Sequence, residues 1–243
     1  MEKWTNRTEL LVGEEKMKIL KKSSVLIVGI GGVGGMAAEM ICRAGIGKIT
    51  IVDGDIVNIT NINRQIIALT STLYRPKVEI MAERLLKINP ELELTVHHLW
   101  LDASNTVSIL EGNHFDFVID AIDSLNNKVF LIKSCLERNI HIISSMGAGG
   151  KIDPTKVTIK DISETTMCSL ARAVRQQLAK IGIKKGVPVV YSTEPSIKTS
   201  IIPITNEGNT KLLIGTISYM PAIFGCYLAS FAIRKMLLNE SKE

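Results

Sequence analysis

At 243 residues, 46% of them hydrophobic, the chain is long enough for one large α/β unit with a substantial core, and it contains neither low-complexity tracts nor internal repeats. Its four cysteines, Cys42, Cys135, Cys168 and Cys226, stand far apart with no CxxC pair, which excludes a disulfide framework and a four-cysteine zinc site. The formal net charge is +5, and residues 151–198 hold nine Lys or Arg against four acids, so the whole excess sits in one stretch, the footprint of a phosphate-backbone partner or of a solvated lysine-rich helix.

The opening MEKWTNRTELL has no apolar run followed by a small-residue cleavage site, so cytoplasmic residence is expected. Arg7 to Lys21 predicts one amphipathic helix with Leu10, Leu11, Met17 and Leu20 on its apolar face. The β-branched run Val25 to Val28 reads as a strand buried on both faces, and it breaks directly into Gly29, Gly31, Gly32 and Gly34, with a helical pattern from Met36 to Cys42. Strand, tight turn and helix in that order place backbone amides and a partial positive charge where a nucleotide phosphate is expected. Further strands are predicted at Ile49 to Val52, Leu92 to Val96, Phe117 to Ile119 and Ile140 to Ile143, with helical patterns between them. This alternation predicts a Rossmann-like, doubly wound, mostly parallel sheet with helices on both faces, and one domain over 1–243. Ligands of such sheets lie beyond the carboxyl ends of the strands, where Asp53, Asp120, Asp123 and the GAGG of Gly147 to Gly150 fall. Past Pro154 come a strand near Val157, a helix from Leu170 to Ile181 and a strand at Val187 to Tyr191. The last segment, Ile217 to Ile233, is apolar nearly all round; it reads as a buried core or dimer-interface helix, or as one in peripheral contact with a membrane.

Asp53 lies about 20 residues past the glycines, where an acid can bond ribose hydroxyls. A dehydrogenase would then proceed to its next helix, whereas here VDGDIVNITNINRQ continues as a polar loop with Asn61, Arg64 and Gln65, followed by Lys77 at a helix start. A forked guanidinium and a mobile ammonium both suit phosphate charge. Taken together, GxGGxG, VDxDxVxxxNxNRQ, Lys77 and DAIDS (Asp120 to Ser124) resemble the ubiquitin-activating-enzyme-like superfamily, which includes the ThiF/MoeB-like adenylyltransferases. The resemblance implies adenylation of a carboxylate by ATP. It also implies Gly29, Gly31, Gly32 and Gly34 around the phosphates, Asp53 on ribose, Arg64 and Lys77 on the phosphate chain, and Mg²⁺ on Asp123. Arg7 stands where the family donates an arginine across a homodimer. Asn61 and Gln65 either join the nucleotide site or satisfy loop backbone; taken singly, Asp53 could instead cap a turn and Asp120 a helix.

Sulfur-carrier activators of this superfamily usually carry two CxxC pairs, absent here. The stretches GAGGKIDPTKVTIKDISET, SLARAVRQQL and VPVVYSTE are similar to a zinc-free branch, the tRNA threonylcarbamoyladenosine dehydratases. That branch implies a tRNA substrate carrying threonylcarbamoyladenosine, whose threonyl carboxylate is adenylated and then closed into a ring. The basic segment would then meet the tRNA, with Arg172, Arg175, Lys184 and Lys185 as contacts. Two alternatives stay open: activation of the carboxyl terminus of a ubiquitin-like sulfur carrier, with a sulfur-transfer partner that nothing in the sequence indicates, and an NAD-dependent oxidoreductase or nucleotide-sensing module. Cys168, just before the Leu170 helix, is either a structural thiol or a nucleophile activated by the helix terminus. His97, His98, His114 and His141 show no metal-ligand spacing and are expected to be structural.

Overall fold

The computed structural model describes residues 3–206 and 209–238, with the backbone alone described at 204–206 and 209–212. The strands β1 (Ser24–Val28), β2 (Lys48–Val52), β3 (Glu93–His97), β4 (Phe117–Asp120), β5 (His141–Ser145), β6 (Val157–Asp161) and β7 (Pro188–Ser192) form one sheet, ordered β3-β2-β1-β4-β5-β7-β6. Every neighbouring pair is parallel except β6 with β7.

Parallel neighbours need crossovers, and the helices that supply them cover both faces. One face carries α2 (Glu14–Lys22), α3 (Gly32–Arg43), α4 (Lys77–Ile88) and α8 (Tyr219–Leu238); the other carries α5 (Ala103–Glu111), α6 (Leu125–Glu137) and α7 (Ser169–Lys180). Alternation along each strand divides the core accordingly. Val25, Ile27, Phe117 and Ile119 join the first cluster, while Leu26, Val28 and Val118 join the second. Strand residues buried on both sides explain why these segments read as continuous apolar runs rather than alternating ones.

The turn from β1 into α3 is where backbone comes closest to backbone. Gly29 has φ +87°, and a Cβ there would stand 2.7 Å from the Ala121 carbonyl oxygen; a Cβ on Gly34 would stand 1.7 Å from the Gly29 carbonyl oxygen. Two of the motif's glycines are therefore demanded by packing of loop, helix and β4 before any ligand is considered.

The expectation for the leading segment is corrected, and the last apolar segment is the buried helix the sequence predicted. The leading helix is two, α1 (Asn6–Val12) and α2, divided at Gly13 with φ +90°. Met17 and Leu20 enter the core, whereas Leu10 and Leu11 on α1 are 87% and 85% exposed. A hairpin of β8 (Ile201–Asn206) and β9 (Asn209–Ile214), unexpected from sequence, stands apart from the main sheet. The apolar last segment forms α8, long and apolar enough by length and composition to cross a membrane. It packs on α3, with Met220, Phe224, Leu228, Ala229 and Ala232 buried.

Burial pushes the Cys42 thiol up to about 11 and, with the Asp120 carboxylate adding to the effect, the Cys135 thiol up to about 12. Cys168 is buried as well, and Cys226 on α8 is exposed. Partial burial raises the Cys226 pKa too, so an aromatic disulfide reagent at neutral pH is expected to titrate Cys226 first but slowly in the native protein, and all four thiols only after unfolding in denaturant.

Candidate functional site

The carboxyl ends of β1, β2 and β4 and the loop after β3 open into a cleft of about 340 Å³, walled further by Ala148 and Gly149 beyond β5 and by Thr216 and Pro221 ahead of and in α8. Gly29, Gly31, Gly32, Asp53, Asn61, Arg64, Gln65, Lys77 and Asp123 all line it. Sequence positions spread over nearly a hundred residues thus meet in one place. Gly34 lies just behind, beneath Gly29.

Asp53 directly follows β2 and ties two loops together. Its Oδ2 accepts from the Ile30 amide at 2.6 Å, and its Oδ1 accepts from the Asp55 amide at 2.7 Å. Burial raises its pKa, against the pull of the Lys77 charge and these two amides. Lys77 opens α4; its Nζ lies 2.7 Å from Asp55 Oδ2, with the ammonium buried and the Asp55 carboxylate partly exposed. Asp55, which also lines the cleft, is a site residue that the sequence reading passed over. Its signal was available: two residues after Asp53 on an extended segment, it returns to the same side.

Arg64 is half-buried and donates to the Thr60 carbonyl at 2.8 Å and to Asn63 Oδ1 at 2.9 Å. Burial lowers its pKa from the ordinary guanidinium value, although the group stays a cation. Among the described residues it has no carboxylate partner, so its charge is open to an anion in the cleft. Gln65 is buried, and its Oε1 has no hydrogen-bond partner among the described residues. An orphaned buried acceptor on a cleft wall is costly unless a ligand donor meets it. Asn61 behaves differently, since its Oδ1 accepts from the Asn58 amide at 3.0 Å and closes the 59–61 turn.

Asp120 does not cap a helix. Fully buried, it lies 2.7 Å from Lys128 Nζ and 2.5 Å from Ser144 Oγ, and its Oδ1 accepts from the Ile122 amide at 3.0 Å. That last bond shapes the turn leading to Asp123, which sits exposed at the cleft rim with no side-chain partner among the described residues. No cluster of three or more His, Cys, Asp or Glu side chains converges among the described residues. One free carboxylate on the same cleft as the glycine loop has the donor chemistry for Mg²⁺, which is habitually held by one or two carboxylates, substrate phosphates and water.

The basic segment does not present one surface. Cys168 and Leu170 lie against Gly147, so α7 begins at the cleft end of the sheet and Arg172 projects, exposed, from its first turn. Lys184 and Lys185 are exposed but lie at the opposite end, just before β7 begins. Arg175 turns inward, donating to the carbonyls of Ile162 and Thr165 and to Thr165 Oγ1. Buried Lys151 donates to the Glu194 carbonyl. Arg7 stands exposed on α1, outside the cleft lining. Of the histidines, His98 contacts the Gly54 carbonyl at 3.2 Å and His114 contacts Asp116 at 3.3 Å.

A glycine loop at a helix start, an acid following the second strand and two cations facing that loop define a nucleotide-binding α/β protein of the doubly wound class. The chain belongs to the ThiF family, whose pattern matches residues 5–243. It is 39% identical over 239 residues to the tRNA threonylcarbamoyladenosine dehydratase of Bacillus subtilis, covering 96% of this chain and 94% of that one. It is 35% identical to the Escherichia coli protein of the same name, covering 99% and 97% respectively. The crystal structure of the E. coli dehydratase in complex with ATP superposes with a TM-score of 0.89 at 35% identity, covering 98% of this chain and 95% of that one.

Replacing Lys128 with Met strands the Asp120 charge in the core and is expected to cost about 3–5 kcal/mol in urea unfolding; pairing it with Asp120→Asn should recover much of the loss.

Proposed function

We propose that this protein is the ATP-dependent enzyme that dehydrates threonylcarbamoyladenosine in tRNA, adenylating the threonyl carboxylate and closing it to cyclic threonylcarbamoyladenosine. The reading is carried by near-full-length similarity to dehydratases over a cleft in which Arg64, Lys77 and the glycine loop converge. A carboxylate is a poor electrophile because its leaving group would be oxide. Attack of its oxygen on the α-phosphorus of ATP releases pyrophosphate and makes an acyl adenylate. The carbamoyl nitrogen then attacks the acyl carbon and loses its proton, and AMP departs with the carboxylate oxygen. The second step is intramolecular, so proximity supplies much of its rate and no covalent enzyme intermediate is needed.

Each cleft residue has a task in this scheme. Asp53 retains lone pairs for ribose hydroxyls, and the orphaned Gln65 Oε1 can accept a hydroxyl or amino proton. The α3 amides and Arg64 hold phosphate oxygens, and Lys77 can exchange its Asp55 contact for phosphate as charge builds. Asp123 would hold Mg²⁺, which neutralises phosphate charge when bound. A homodimer is supported by exposed Trp4, Leu10 and Leu11 near Arg7, an apolar surface that a second copy would cover while bringing that arginine to its partner's phosphates. Arg172, at the cleft end of α7, is the best placed of the basic residues for tRNA near the reacting nucleoside. Lys184 and Lys185 would meet a more distant part of its backbone. The assignment is to a cytoplasmic enzyme, with α8 seated on α3.

The deciding experiment incubates the protein with ATP, magnesium and threonylcarbamoyl-modified tRNA, then digests the RNA and looks by mass spectrometry for loss of one water from the nucleoside. ATP turnover driven by a ubiquitin-like carrier, with modified tRNA inert, would overturn the reading. Lys77→Ala is expected to lower AMP formation by roughly 100-fold or more in a protein that still folds, with the same circular dichroism and a lowered thermal midpoint from loss of the Asp55 partner. Cys168→Ala should keep most activity, since ring closure needs no thioester; abolished turnover in a folded variant would point to a thiol intermediate.

A further inference from the structure

Trp100 is a large apolar side chain on the cleft wall, 65% exposed, and none of the chemistry above employs it. It lies three residues past the end of β3. A Cβ on Gly54 would fall 2.8 Å from Cγ and Cδ2 of the indole, so the ring rests on the Gly54 backbone with its remaining surface open to the cleft and solvent. Only glycine permits that contact. The loop beneath is also fixed: Asn105 Nδ2 donates to the Trp100 carbonyl at 2.8 Å, and the Asp53 amide donates to the His97 carbonyl at 3.2 Å. The indole is thus held in place by backbone contacts while much of its surface stays wet, an arrangement that leaves apolar area to be covered by a ligand.

Strand order indicates what that ligand is. Across the sheet run Trp100 beyond β3, Asp53 at the end of β2, the glycine loop after β1 and Asp123 after β4. Adjacent strands lie about 4.8 Å apart, so these stations span about 14 Å, the scale of an extended nucleoside triphosphate. A nucleotide whose ribose meets Asp53 and whose phosphates meet the glycine loop carries its base toward Trp100.

We propose that Trp100 is the stacking platform for a nucleobase in this cleft, an inference that rests on the dehydratase reading. The base is the adenine of ATP or an unpaired base of the RNA anticodon loop, since both offer the same π-face to an indole. The chain has two tryptophans, so Trp4→Phe leaves Trp100 as the sole indole reporter. Its emission is titrated with ATP alone and, separately, with an unmodified anticodon stem-loop RNA alone.

Saturable quenching by one of them is the expected result and identifies which base stacks. Trp100→Ala should then bind that ligand roughly 5- to 150-fold more weakly by equilibrium dialysis, with Trp100→Phe close to wild type. No quenching by either ligand, or wild-type affinity for both in Trp100→Ala, overturns the proposal. The two readings fail separately: a wild-type protein that cannot dehydrate modified tRNA, while its Trp4→Phe variant is quenched by ATP, loses the dehydratase assignment and keeps the platform. An active enzyme indifferent to Trp100→Ala loses the platform alone.

Discussion

The site depends on one carboxylate. Asp53 holds the Ile30 amide with one oxygen and the Asp55 amide with the other, so the glycine loop and the segment that leads to Arg64 and Lys77 are tied together. Charge-assisted bonds to backbone amides are among the stronger ones available to a protein. With the Lys77 charge, they offset only part of the burial that raises the Asp53 pKa. Asp55, positioned by that same carboxylate, in turn receives Lys77. The acid that looks like a ribose ligand is therefore a structural tie first, with lone pairs left for a ligand.

A second carboxylate does comparable work one strand over on the far side of β1. Asp120, with Lys128 and Ser144, is sealed from solvent and directs the turn between β4 and Asp123 through the Ile122 amide. The same turn presses its Ala121 carbonyl against Gly29. The glycine loop and the Asp123 turn, at two edges of the cleft, are thereby coupled through backbone contacts, an arrangement that suits preorganised charge.

Charge arithmetic alone misplaces the basic residues. Nine cations within residues 151–198 look like one patch in linear sequence. The reversal of β6 against β7 and the run of α7 back along the sheet instead distribute them between its two ends and its interior. Arg175 and Lys151 satisfy carbonyls, a use of cations that no count reveals.

What the sequence alone determined is local and periodic: the buried parallel strands, the glycine turn, and an ordered series of polar residues placed after strands, whose spacing is set by the chain itself. Most members of the cleft were legible on that basis, because strand ends in a doubly wound sheet converge whatever lies between them. The tertiary structure alone decided the break at Gly13, the hairpin of β8 and β9, the pairing of Asp55 with Lys77 and of Asp120 with Lys128, the placing of Trp100 on Gly54, and which cations face solvent. Each of these depends on contacts between segments distant along the chain, whose distances and desolvation are fixed only when the layers pack.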